Sequence, residues 1–69
     1  MKKEELSKLQ KYLCGVFKHD AIEIRARPRK DDSAEVYIAD EFIGVIYRDD
    51  EDEDLSYNFQ MAILEFDLE

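Results

Sequence analysis

From Glu4 to about Lys18, Leu6, Leu9, Leu13, Val16 and Phe17 recur at the three-and-four spacing of one helical face, with Lys8, Lys11, Gly15 and Lys18 opposite. Glu4 and Glu5 open this segment and lysines follow, which suits the helix dipole. The spacing therefore predicts a helix over residues 4–18. Beyond His19-Asp20 the period changes from helical to two. Residues 21–27, 34–39, 42–48 and 55–67 read as strands rich in Ile, Val, Tyr and Phe, with polar turns between them. One helix followed by consecutive strands predicts an α+β fold, with the N-terminal helix packed on one face of a four-stranded antiparallel meander.

The pattern also predicts a register. If Asp40-Glu41 is a two-residue hairpin turn, Ile38 faces Ile43, Val36 faces Val45 and Ala34 faces Tyr47, so the core-type residues share one side. A longer turn with a bulge is the alternative, since neither residue favours such a turn. In the preceding hairpin Ile24 falls opposite Val36 and Ile22 opposite Ile38, which sets Arg25 across from Glu35 on the outer side. Tyr57, Phe59, Met61 and Ile63 extend the inner side. The outer side then carries Tyr37, Phe42, Ile46, Ala62, Leu64, Phe66 and Leu68, with Gly44 providing a slot over which the Tyr37 ring lies. A single helix cannot cover both sides, and a contiguous exposed apolar patch usually marks an interaction surface. The alternative is a bulge near Ile63-Leu64 that turns Leu64 and Phe66 back into the core.

Length limits these options. A chain of 69 residues buries only roughly 60% of its unfolded surface, so we expect one domain over residues 1–69 without a deep active site. One cysteine and one histidine, Cys14 and His19, exclude a disulfide framework and a zinc site built from Cys and His of one chain. No apolar run approaches a membrane span, and Met1-Lys2-Lys3 leads into acids and amphipathic spacing rather than a signal core. No membrane association and a cytoplasmic location are the expectations.

The net charge of -8 conceals a dipolar chain. Residues 1–30 hold nine basic and four acidic side chains, a balance of +5, whereas residues 31–69 hold one and fourteen, a balance of -13. The extremes are the basic stretch with Arg25, Arg27, Arg29 and Lys30, and the run Asp49, Asp50, Glu51, Asp52, Glu53 and Asp54. Six adjacent carboxylates repel one another and favour a solvated loop over 49–54. The run does not match a calcium loop, because its sixth residue is Asp54 rather than Gly and the twelfth is Gln60 rather than Glu. Arg25, Arg27 and Arg29 share a side of an extended strand and could face phosphate or carboxylate groups. No aromatics interleave with them, which disfavours a single-stranded nucleic acid.

Candidate chemistry is sparse. Cys14 sits at the flank of the helical apolar face as a small packing residue, and His19 is placed to meet the helix C-terminal carbonyls. No nucleophile has a base and an orienting group beside it in the sequence pattern. No glycine-rich phosphate loop or paired-histidine zinc motif occurs, so neither a catalytic centre nor a cofactor is expected.

The segments Arg27-Pro28-Arg29-Lys30-Asp31-Asp32-Ser33-Ala34-Glu35-Val36-Tyr37-Ile38, Glu41-Phe42-Ile43-Gly44-Val45, Asp49-Asp50-Glu51-Asp52 and Ser56-Tyr57-Asn58-Phe59-Gln60-Met61-Ala62-Ile63-Leu64 are similar to those of a bacterial family. The chain resembles a family of small acidic proteins, found mainly in alphaproteobacteria and catalogued as a domain of unknown function. The resemblance implies a bacterial origin and a free-standing domain, and it carries over no catalytic or binding residue.

The leading expectation is a non-enzymatic interaction module. Its open sheet face, with Tyr37, Phe42, Ile46, Leu64 and Phe66, would support a homodimer or dock a protein partner. The alternative is electrostatic binding of a basic protein or nucleic acid through the acidic loop and the arginine stripe. An enzyme would need a site shared across a dimer interface.

Overall fold

The computed structural model describes residues 1–51 and 54–68. Helix α1 (Lys3–Phe17) leads into β1 (Ile22–Arg27), β2 (Lys30–Ile38), β3 (Glu41–Asp49) and β4 (Ser56–Gln60), and a 3-10 turn follows at Glu65–Leu68. The strands form one antiparallel sheet in the order β1-β2-β3-β4, the expected meander.

α1 ends in a left-handed residue, Lys18 with φ 52°, and the His19 N–H reaches back to the Cys14 carbonyl at 3.0 Å. This bond from the second residue past the helix satisfies a carbonyl of the last turn. At the other end Glu5 accepts the Lys2 N–H at 3.3 Å. Leu13 of α1 is buried with Ile22, Ile24, Ala34, Val36 and Ile46, and Leu6 and Leu9 pack against that group. Val16 and Phe17 do not join it. They are more than half exposed, because the helix end runs past the residues it could cover.

β1 and β2 pair in the expected register, with Ile24 opposite Val36 and Arg25 opposite Glu35. The next hairpin differs. Its turn is Ala39-Asp40, both left-handed at φ 50° and 67°, rather than Asp40-Glu41. Two consecutive positive φ values define the tight turn whose twist matches that of antiparallel strands. Ile38 is therefore opposite Glu41 and Tyr37 opposite Phe42, and a register shift leaves Ile43 as an extra residue before Gly44 meets Val36.

This bulge inverts the expected phase of β3. Ile46 lies opposite Ala34 in the core at 3% exposure, so its expected place on the open face is incorrect. Val45 and Tyr47 take the outer side, paired with Glu35 and Ser33, while Ile43 packs against the core group. The exchange has a physical gain: an aliphatic side chain is buried and the Tyr47 hydroxyl stays wet. Gly44 belongs to the inner side and not under Tyr37. A Cβ there would stand 2.3 Å from the Gln60 carbonyl oxygen and 2.9 Å from the Phe59 ring.

β4 stops at Gln60 instead of continuing to residue 67. Residues 61–64 are irregular, and Leu64 and Asp67 then close a turn by mutual hydrogen bonds, Asp67 N–H to the Leu64 carbonyl at 2.9 Å and Leu64 N–H to Asp67 Oδ2 at 3.0 Å. Met61 and Ile63 do not extend the inner face and Leu64 and Phe66 do not return to the core; all four are exposed.

Candidate interaction face

The candidate face lies on the side of the sheet away from α1 and is built by alternation along three of the strands. β1 contributes Glu23, Arg25 and Arg27, β2 contributes Ser33, Glu35 and Tyr37, and β3 contributes Phe42, Val45 and Tyr47. Its apolar centre is an aromatic pair. The Tyr37 and Phe42 rings meet edge to face, with centroids 5.7 Å apart and planes at 71°, and Phe42 remains 52% exposed.

The polar rim is internally paired. The Arg25 guanidinium lies over the Tyr37 ring, 3.9 Å from its centroid, and its nitrogens reach Glu23 and Asp40 carboxylates at 2.8 Å each. These contacts replace the expected ion pair with Glu35, which instead accepts the Tyr37 hydroxyl at 3.0 Å. The Glu23 hydrogen bond holds the guanidinium pKa above its ordinary value, with Asp40 adding to the effect. The Glu35 hydrogen bond raises that of the Tyr37 phenol. The cation, three carboxylates and two rings are therefore tied together, leaving Phe42 as the exposed apolar edge of the group.

Beside this face, Met61, Ala62 and Leu64 of the C-terminal segment stand across from Glu41–Val45 of β3 and define a groove of about 530 Å³. Leu64 and Phe42 both line this groove, whereas Phe66 does not line it and is 68% exposed. Of the five residues expected on the open face, Tyr37 and Phe42 are in contact, Leu64 shares the groove lining with Phe42, Phe66 is outside both, and Ile46 is on the other side of the sheet. Val45 and Tyr47, missed by the sequence reading, occupy its place. The glycine in mid-strand was the available signal, since an isolated strand glycine often accompanies a bulge or a close backbone approach.

The arginine stripe is divided by its contacts. Arg27 donates from Nη1 to Ser33 Oγ at 3.1 Å, which satisfies a serine only 1% exposed. Arg29 and Lys30 lie exposed around the β1–β2 turn. In the acidic run, Asp49 closes β3 and accepts the Glu51 N–H at 3.2 Å, Asp50 lies 3.8 Å from Arg48, and Asp54 is exposed. Asp52 and Glu53 lie outside the described residues. Among the described residues no group of three metal-ligating side chains converges.

On the inner side a second polar group joins α1 to the far half of the sheet. Tyr57 donates its hydroxyl to Glu5, and Arg48 approaches the same carboxylate at 3.6 Å. The Tyr57 hydrogen bond holds Glu5 below the usual carboxylate range, with help from the Lys2 N–H and Arg48, and it raises the Tyr57 phenol. Cys14 Sγ is 3.7 Å from the Ile22 carbonyl oxygen, and exposed His19 accepts the Ala21 N–H through Nδ1 at 3.0 Å. Neither residue has a second reactive group beside it in these contacts. They are local caps of the helix-to-strand connection.

The profile of the DUF3126 family, described as a protein of unknown function, matches residues 5–67. The chain belongs to this family. The match runs from the first turn of α1 through the C-terminal 3-10 turn, so DUF3126 spans the helix, all four strands and the groove-lining segment. No curated protein and no solved structure matches the chain. Among the described residues, no helix is long and apolar enough to cross a membrane.

Proposed function

We propose that this DUF3126 chain is a non-enzymatic interaction module that docks a protein partner through the outer sheet face formed by Tyr37, Phe42, Val45 and Tyr47. The observation that carries the reading is Phe42. Its ring is half exposed beside Tyr37, on a sheet face that α1 does not cover. Aromatic anchors surrounded by paired polar groups are typical of interface centres. The pairing of Arg25 with Glu23 and Asp40 matters too, because a partner can cover the guanidinium without leaving that cation unpaired.

Charge-driven binding of a basic protein or nucleic acid, and with it a role for the acidic run, draws less support. Two of its three arginines are already engaged, leaving Arg29 and Lys30. The readings differ in salt response, since apolar docking is far less sensitive to salt than exposed charge pairing. A photo-crosslinking residue at position 42, with one at exposed Glu4 as control, identifies the partner in cells. Calorimetry with the purified partner then compares wild type with Phe42→Ser. We expect at least ~10-fold weaker binding for the variant and little salt dependence for wild type. Steep salt dependence together with indifference to Phe42→Ser contradicts the reading.

A further inference from the structure

The sheet has two edges, and they are finished differently. At β1 the helix closes the edge: Gln10 Oε1 accepts the Ile24 N–H at 3.0 Å, and Cys14 Sγ lies 3.7 Å from the Ile22 carbonyl oxygen. β1 also carries Glu23, Arg25 and Arg27. Among the described residues no side chain hydrogen-bonds the backbone of β4. Its sequence Ser56-Tyr57-Asn58-Phe59-Gln60 has neither charge nor proline, and β3 is its one strand neighbour among the described residues. An uncharged, unpaired edge is a template for another strand.

We propose that β4 pairs antiparallel with β4 of a second copy, about a two-fold axis at Asn58, to make one continuous eight-stranded sheet. This surface is separate from the outer face and does not depend on that face having a partner. The strand is its own complement. Centred on Asn58, Tyr57 of each copy lies opposite Phe59 of the other on the helix side, where those rings already pack against the core. Asn58 meets Asn58 and Ser56 meets Gln60 on the outer side, so aromatic faces aromatic and polar faces polar, with no like charges opposed. Only this centre pairs all five residues of the strand. Continuing one step, Leu55 comes opposite Met61, and these side chains are 48% and 53% exposed in the single chain.

A two-fold arrangement uses the same patch twice and closes, which prevents further addition at β4, while the capped β1 edges prevent growth at the ends.

Sedimentation velocity of the purified full chain, from micromolar to submillimolar concentration, tests the pairing. Wild type should be dimeric. Asn58 is exposed, so Asn58→Lys and Asn58→Asp should each keep the wild-type circular dichroism while weakening self-association by at least ~10-fold, because each sets like charges face to face. Mixing the two variants should restore a dimer, and Phe42→Ser alone should remain one. A monomeric wild type, a dimer that withstands Asn58→Lys, a mixture that stays monomeric, or dissociation by Phe42→Ser overturns the proposal. The last outcome would assign self-association to the outer face instead.

Discussion

The two halves of the sheet contrast sharply. On the β1–β2 side, Ile22, Ile24, Ala34 and Val36 are all at or below 6% exposure, the helix lies over them, and the edge is hydrogen-bonded. On the β3–β4 side Ile46 is the buried counterpart, while Met61, Ile63, Leu64, Phe66 and Leu68 are exposed. Geometry explains the division. A helix of 15 residues is ~22 Å long but only about 10 Å wide, whereas four strands span roughly 15 Å between their outer axes. With α1 seated at β1, its shortest route to the other half is the Glu5 contact with Tyr57 and Arg48. The radius of gyration, 12.7 Å, exceeds the ~11 Å of a compact domain of this length. The contrast teaches that one helix stabilises one side of the sheet and leaves the other side available for contacts outside the fold.

Gly44 is the sharpest place to break the weaker half. Gly44→Ala puts a methyl group into the Gln60 carbonyl, a backbone atom held by β3–β4 pairing, and against the Phe59 ring. We expect a loss of about 2–4 kcal/mol. Hydrogen exchange should show β4 losing protection ahead of β1 and β2. Equal loss of protection in all four strands would mean that the two halves form a single cooperative unit.

The sequence made the stronger half legible and misplaced much of the weaker one. Apolar alternation in β1 and β2 specifies the phase, because a one-residue slip would set Ile22 and Ile24 opposite outer-side residues, and the register with Arg25 opposite Glu35 keeps Ile22, Ile24, Val36 and Ile38 all towards the core. In β3 two phases place comparable residues inside, one with Val45 and Tyr47 and the other with Ile46. The turn and bulge choose between them. Ala39 gave no sign of a left-handed conformation, which asparagine or glycine would have signalled. The end of β4 was equally hidden: residues 61–64 are all apolar and 64–67 alternate, which reads as a continuing strand, but the Ile43 bulge removes the regular ladder with which they would pair. Arg25 chose Glu23 and Asp40 over the cross-strand Glu35 because the Ala39-Asp40 turn brings Asp40 within reach.

The Glu5–Tyr57 bond is the strap between the halves, and its removal should have a smaller, pH-dependent effect. Tyr57→Phe leaves the ring and loses the hydroxyl donated to a carboxylate, which should cost about 1–2 kcal/mol at neutral pH. The pair is stabilising across a window. Glu5 is depressed in the folded chain, so its contribution is complete above its ordinary value of 4.5 and is lost as pH falls through the lower folded value. Tyr57 is raised, so its contribution is complete below its ordinary value of 10.0 and is lost as pH rises through the higher folded value. Urea midpoints of wild type and variant should therefore differ at pH 7 and converge in acid. A gap that persists below the folded value of Glu5 would mean that the hydroxyl acts through another partner.

The turn between the halves offers the smallest effect and the opposite sign. Ala39 holds φ 50° with a Cβ that the left-handed region disfavours, and its exposed side chain makes no compensating contact. Ala39→Asn should stabilise the chain by about 0.5–1 kcal/mol, because asparagine tolerates this conformation and the Asp40 contact with Arg25 is untouched. The gain separates turn strain from packing, since no core atom changes. If β2–β3 pairing is the rigid joint on which both halves depend, thermal unfolding shifts upward as one transition. If the halves unfold separately, the gain appears in the β1–β3 amides alone, and β4 exchanges at its original rate.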